Sequence, residues 1–232
     1  MAARGKLSAF RGRGLPLVTV CIPARNEERF IGQALYAIRK VNLYPRVEVV
    51  VIDQESTDNT VKIAEKFGAK VINVEYERNG KKLGVGISRH LGSLEAKGEI
   101  IVQIDADTLL TPFLIPRAVA QLSGDKIGVY YSAHYYYDGN LLLNLSAHYY
   151  DKFFRKPYNT PGYFMAYTKA LYDHVQFDIN APFLHEDYVF GEQVFKRFGV
   201  HIFRFDREFI VLVSSRTWRR RGLLAYLERI FE

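Results

Sequence analysis

The chain has 232 residues, 48% of them hydrophobic, with 32 lysines and arginines against 25 acidic residues and a net charge of +7. This composition excludes a disordered chain and allows one domain with a full core; the positive balance favours an anionic partner such as nucleic acid, a membrane surface, or a nucleotide-sugar or lipid-phosphate substrate. No apolar run reaches the ~18 residues needed to span a bilayer, the N-terminus lacks the apolar core of a secretory signal, and the single cysteine, Cys21, excludes a disulfide framework and a cysteine-built metal site, so a reducing, cytoplasmic setting is expected.

Met1 to Gly14 reads as a basic flexible tail carrying Arg4, Lys6, Arg11 and Arg13. Leu17 to Ile22 is a short apolar run, predicted as a strand. Phe30, Ile31, Ala34, Leu35 and Ile38 fall at helical spacing and predict a helix over Glu27 to Arg39. The β-branched run Val47 to Ile52 predicts a buried strand, Ser56 to Phe67 a helix stopped by Gly68, and Lys70 to Val74 a further strand. Leu83 to Lys97 predicts a helix ending at Gly98, and Ile100 to Ile104 a fourth strand. Continuous apolar strands separated by helices imply an α/β fold with a parallel sheet covered on both faces.

The second half is less regular. Val129 to Tyr137 and Gly162 to Thr168 are strand-like, and Leu141 to Phe154 and His185 to Phe198 have helical spacing. His201 to Phe205 and Glu208 to Val213 predict a strand pair around Asp206-Arg207. Arg216 to Phe231 joins a basic cluster to an apolar stripe of Leu223, Leu224, Leu227, Ile230 and Phe231, which suits a helix lying on anionic lipid or one docked on its own domain.

The sharpest chemical signal is Asp105-Ala106-Asp107 directly after the fourth strand. Ligands of open α/β sheets bind at the carboxyl ends of the strands, and two carboxylates there can share a hard divalent cation with a diphosphate. The bland alternative is a strand-ending turn that caps the next helix. Aspartate-nucleophile phosphatases also carry two such residues, but they want Thr or Val where Leu109 stands, and on the first strand rather than the fourth. Three more segments matter: Val20 to Glu28 and Val51 to Thr60, each a strand running into a helix start, and His185-Glu186-Asp187 opening a helix. Ser56 and Asp58 also suit helix capping, and Glu186-Asp187 also suits a helix dipole. The tyrosines at 130, 131, 135, 136, 137, 149 and 150 suit strand packing better than sugar stacking.

In this order and spacing, from about Leu15 to Arg216, the segments resemble the inverting family 2 glycosyltransferases of the GT-A fold. The resemblance implies a Rossmann-like, mostly parallel central sheet with helices on both faces, a nucleotide-binding half over 15–110, an acceptor half over 111–215, and a basic amphipathic helix over 216–232. It implies that Pro23, Ala24, Arg25 and Glu27 line the nucleotide pocket with Asp53 and Gln54. The family commonly reads Asp-Asp-Gly-Ser here, and Gln54 stands where the base-facing aspartate is expected. A glutamine amide still offers donors and an acceptor to a base edge, so a UDP-sugar is favoured and a GDP-sugar stays open.

The stretch Gly80 to His90 matches the family's glycine-rich segment, with Arg89 at the position facing the diphosphate; Lys81 and Lys82 suit the same task or a solvated loop. Asp105 and Ala106 are expected at the donor, Asp105 and Asp107 at Mg²⁺ or Mn²⁺, and Asp187 as general base. Ser215-Arg216 matches a pair close to the diphosphate. The implied reaction moves a sugar from a nucleotide-diphosphate donor to a glycan or lipid-linked acceptor, with a peripheral site at the inner face of a membrane. The chain carries no recognisable nucleic-acid motif. The rival reading is a non-catalytic nucleotide- or glycan-binding protein on a degenerate fold, against which intact Asp105, Asp107 and Asp187 argue.

Overall fold

A computed structural model describes residues 14–78, 80–124, 126–181 and 185–218. The expected basic tail, and the expected C-terminal helix beyond Trp218, lie outside these residues. In chain order the elements are β1 (Val18–Ala24), α1 (Ile31–Tyr36) continued by a π-helical turn (Ala37–Val41), β2 (Val47–Asp53), α2 (Thr60–Lys66), β3 (Lys70–Asn73), β4 (Glu77–Arg78), β5 (Lys81–Lys82), α3 (Val85–Glu95), β6 (Ile100–Ile104) and β7 (Thr108–Leu109). There follow α4 (Leu114–Leu122), β8 (Val129–Tyr136), α5 (Leu141–Phe153), β9 (Phe164–Thr168), α6 (Lys169–Tyr172), α7 (Glu186–Phe198), a 3₁₀ turn (Val200–Ile202) and β10 (Phe203–Val213).

Eight strands form one sheet in the order β3-β2-β1-β6-β9-β8-β10-β7. Strands from both halves of the chain join it. Four of its seven pairings are parallel and three antiparallel, so the sheet is mixed, with its parallel part concentrated in the first half. Alternating strand side chains divide the core into two layers. Val20, Ile22, Val51, Val102 and Phe164 face one layer with Leu35 of α1, Ala64 of α2, Leu114 of α4 and Ala147 of α5. Cys21, Ile52, Ile101, Met165 and Tyr167 face the other with Ile87 of α3 and Phe190 and Val194 of α7. Helices thus cover both faces. Each fully buried Val, Leu, Ile or Phe contributes roughly 1.5–3 kcal/mol, which outweighs the burial of Gln103 within β6. The Gln103 amide nitrogen donates to the Arg89 carbonyl, Ser93 and Tyr167, tying α3 and β9 to the strand, while its amide oxygen is buried without a partner.

The structure corrects the expected strand pair around Asp206-Arg207. Residues 203 to 213 form one strand, β10, parallel to β8, with an irregularity between Asp206 and Val211. Asp206 resembles a turn residue in sequence, but its carboxylate turns inward and accepts from Arg117, Tyr130 and the backbone of Glu208. Such a bulge re-aims a strand without ending it. The sequence reading also missed α4, which carries Pro116 in its first turn, where a helical N–H has no partner to lose. It missed the hairpin β4–β5 as well, whose Gly80 sits at φ 74°.

Candidate active site

The parallel register places the ends of three strands side by side: Ala24 pairs with Asp53, and Cys21 with Gln103. Antiparallel β9 begins there, with Phe164 opposite Ile104. The end of β10 returns to the same rim, with Val213 opposite Thr108 of β7. These ends surround a cavity of about 750 Å³. Its walls include Pro23, Ala24, Arg25, Glu27, Gln54, Arg89, Asp105, Ala106, Asp107 and Asp187. Asp53 is the exception among the expected residues: it lies buried beside the cavity, and its carboxylate accepts from the Ser56 N–H at 2.9 Å.

The end of the cavity expected to take the nucleotide is held by cross-links between the β1 and β2 turns. Asn26, at φ 54°, donates its backbone N–H to Ser56 and accepts from the Thr57 N–H. Asp58 accepts from the Thr60 and Glu28 N–H groups, so it does the capping-type work at α2 while Ser56 secures the neighbouring turn. The Arg25 guanidinium lies 3.4 Å from the Tyr76 ring centroid and donates to the Gln54 carbonyl. A cation stacked on an aromatic face leaves a flat, positively charged wall suited to a nucleotide.

At the centre, Arg89 donates to Asp105 at 2.6 Å and to Glu186 at 3.1 Å. It is only 2% exposed. Burial opposes its charge, but Asp105, Glu186 and Asp187 together hold its pKa above the ordinary range. The residue expected to face a diphosphate thus pairs with two carboxylates and lies in the field of a third. Asp187 accepts from the Gly162 N–H at 2.6 Å and the Tyr188 N–H at 2.8 Å, which fixes the plane of its carboxylate. Burial, and then the neighbouring Asp187, raises the pKa of Glu186.

Arg216 grips Glu27 with two nitrogens, at 2.6 and 2.7 Å, and Asp107 with its third at 2.6 Å. The Asp107 carboxyl is pushed up to about 7, first by burial and then by Asp105 beside it. Two crowded carboxylates that resist carrying negative charge together are a donor set a hard divalent cation relieves. Among the described residues no group of three or more His, Cys, Asp or Glu is placed to hold a metal. A cation held by Asp105 and Asp107 would take its remaining ligands from a diphosphate and water.

A model described as glycosyl transferase family 2 matches residues 19–190, most of the chain. The chain belongs to that family. It is 38% identical over 94 residues to the 4,4'-diaponeurosporenoate glycosyltransferase of Staphylococcus haemolyticus strain JCSC1435, covering 40% of this chain and 24% of that protein. It is 33% identical over 136 residues to the enzyme of the same name from Staphylococcus aureus strain USA300, covering 55% of this chain and 36% of that one. The chain therefore matches about a quarter to a third of the length of these relatives. Its fold is similar to that of a mannosyltransferase from Pyrobaculum calidifontis solved with GDP-Man and Mn²⁺, with a TM-score of 0.67, 23% identity, and coverage of 90% of this chain and 61% of that one. It is equally similar to Mycobacterium tuberculosis glucosyl-3-phosphoglycerate synthase solved with Mn²⁺, UDP and glucosyl-3-phosphoglycerate, with a TM-score of 0.67, 23% identity, and coverage of 98% and 83%.

Several wall residues of this family 2 chain were not named as site residues in sequence, and Tyr150, read there as strand packing, sits on helix α5. Tyr76, Tyr150, Arg155 and Tyr163 line the cavity, as does Trp218, whose indole donates to the Tyr136 hydroxyl at 2.7 Å. Arg155 donates to Asp151, the Asn159 carbonyl and Tyr163, so it organises the aromatic wall. Periodicity could not bring these residues together, because Tyr150 sits in α5 and the others in separate segments that meet only in the fold.

Gly191 shows how closely α7 is seated. A Cβ there would overlap the Tyr158 carbonyl oxygen and meet the Thr160 hydroxyl, and that hydroxyl donates to the Asp187 carbonyl. Gly191→Ala should therefore shift α7 and destabilise the fold by roughly 1–3 kcal/mol. Thermal denaturation checks this; an unchanged midpoint would show that the 158–160 loop yields freely.

Proposed function

We propose that this chain is an inverting glycosyltransferase. The donor nucleotide lies against Arg25, Tyr76 and Gln54, with its diphosphate at Asp105 and Asp107. The carrying observation is that these carboxylates and Asp187, separated by eighty residues or more in sequence, line one cavity around two arginines: buried Arg89, which pairs with Asp105 and Glu186 and lies in the field of Asp187, and Arg216, which pairs with Asp107. Asp105 and Asp107 would hold a divalent cation, which would supply neutralisation of the departing diphosphate. Asp187 accepts the proton of the acceptor hydroxyl as that oxygen attacks the anomeric carbon; a single displacement inverts it. The Gly162 and Tyr188 N–H groups keep the carboxylate aimed during the step.

Arg216 is placed to transfer its charge from Asp107 toward an incoming diphosphate while Glu27 retains it. The names of the staphylococcal relatives support glycosyl transfer, and the GDP-Man, UDP and Mn²⁺ of the structural neighbours support a nucleotide donor and a cation. A UDP-sugar is the favoured donor, a GDP-sugar the second candidate, and a glycan or lipid-borne alcohol the acceptor.

Incubation with UDP- and GDP-sugars, with and without Mn²⁺, tests the reading. Metal-stimulated release of nucleoside diphosphate is expected from one donor class. Calorimetric binding of the nucleotide with no release under any condition would identify a non-catalytic binder instead.

A further inference from the structure

Helix α5 is turned inside out. Its buried face carries Leu143, Asn144, Ala147 and Asp151, two of them polar. Its exposed face carries Leu141, Leu142, Leu145, Tyr149 and Phe153, with Leu141 73%, Tyr149 60% and Phe153 61% exposed. Residues 141, 145, 149 and 153 recur every four positions, so they form one stripe along the helix. A surface helix normally shows the reverse arrangement, and contiguous exposed apolar patches mark a binding surface.

The buried polar groups explain the inversion from within. Asn144 exchanges hydrogen bonds with both the N–H and carbonyl of Tyr136, and Asp151 pairs with Arg155 at 2.7 Å. The helix is thus fixed to the sheet by polar contacts, which leaves its apolar side outward.

The charge around the stripe selects the occupant. Lys152 lies on the exposed side, with its ammonium 5.2 Å from the Phe153 ring centroid, and Lys156 follows in the next turn of chain. The only acidic residue of α5, Asp151, is buried. An apolar stripe edged by lysines, on a helix with no exposed carboxylate of its own, matches an anionic lipid surface, where apolar side chains enter the acyl boundary and ammonium groups meet phosphates. The stripe also leads to the cavity, since Tyr150, Phe154 and Lys156 at its C-terminal end line the wall. No helix among the described residues is long and apolar enough to cross a membrane; a contact through the side of α5 is interfacial in geometry.

We propose that the exposed face of α5 seats the protein on an anionic bilayer with the acceptor side of the cavity toward the lipid. This contact involves neither the chemistry of transfer nor the segment after Trp218. It is tested with the full chain by flotation on vesicles of phosphatidylcholine mixed with phosphatidylglycerol, beside vesicles of phosphatidylcholine alone. The wild type should float with the anionic vesicles and much less with the neutral ones. The triple variant Leu142→Gln, Leu145→Gln, Phe153→Gln should lose roughly tenfold or more in partitioning.

That variant should keep its thermal midpoint and its affinity for nucleoside diphosphate, because the three side chains are exposed and outside the cavity wall. A wild type that stays at the bottom, or a variant that floats as well as the wild type, overturns the proposal. So does sedimentation velocity showing a wild-type dimer that the variant dissolves, since the face would then belong to a second copy. Loss of transfer activity with flotation intact would count against the catalytic reading alone.

Discussion

Asp187→Asn should cut turnover by roughly 10² or more, the usual scale of general-base catalysis, with donor affinity little changed. In the proposed arrangement the donor nucleotide is held by other residues, Arg25, Tyr76 and Gln54, so its binding does not depend on this side chain. Its shape is preserved in asparagine, but the proton acceptor is gone. The Gly162 and Tyr188 N–H groups both point at the carboxylate, and one of them must face an amide NH₂ in the variant. Leaving such a donor unpaired costs about 1–3 kcal/mol of stability, so the melting temperature should be read beside the kinetics. Saturation kinetics together with calorimetric donor binding decide the matter. Intact turnover at saturation with lost donor affinity would move Asp187 from the base to the donor pocket.

Asp107→Ala is expected to abolish detectable transfer while the protein stays folded, and excess EDTA should do the same to the wild type. Stability survives because the substitution removes a carboxylate that is costly to bury beside Asp105, and Glu27 still holds Arg216 through two hydrogen bonds. Trp218, the single tryptophan of the chain, lines the same cavity and gives a readout independent of activity. Titration with Mn²⁺ and nucleoside diphosphate should quench its fluorescence in the wild type and leave the variant little affected. Full transfer in excess EDTA, or equal quenching of the variant, would remove the metal from these carboxylates.

The strand and helix pattern of the first half was legible because it is local. Val47 to Ile52 and Ile100 to Ile104 read as buried strands, and both are buried over those runs or nearly so. Asp105 and Asp107 stood out because strand ends are where an α/β sheet exposes its chemistry; Gln54 and Asp187 were picked by the resemblance to the family. All four line the cavity. Asp53 was picked by the same logic, yet the Ser56 N–H turns its carboxylate into the fold.

Sequence alone thus determined the α/β class, the strand ends that carry the carboxylates, and the family. Tertiary structure decided what those carboxylates meet. Arg216 reaches Glu27 across 189 positions only because β10 runs parallel to β8 and ends beside β7. Gly162 meets Asp187 only because β9 runs back along β6. Asp206 bends a strand instead of closing a hairpin because Arg117 and Tyr130 wait inside for its carboxylate. The apolar side of α5 faces outward because Asn144 and Asp151 find their partners inward. Periodicity reports whether a side chain belongs to one face or another, since it follows from backbone geometry within a few residues. Which distant group shares that face depends on strand order and loop closure, which no local pattern encodes.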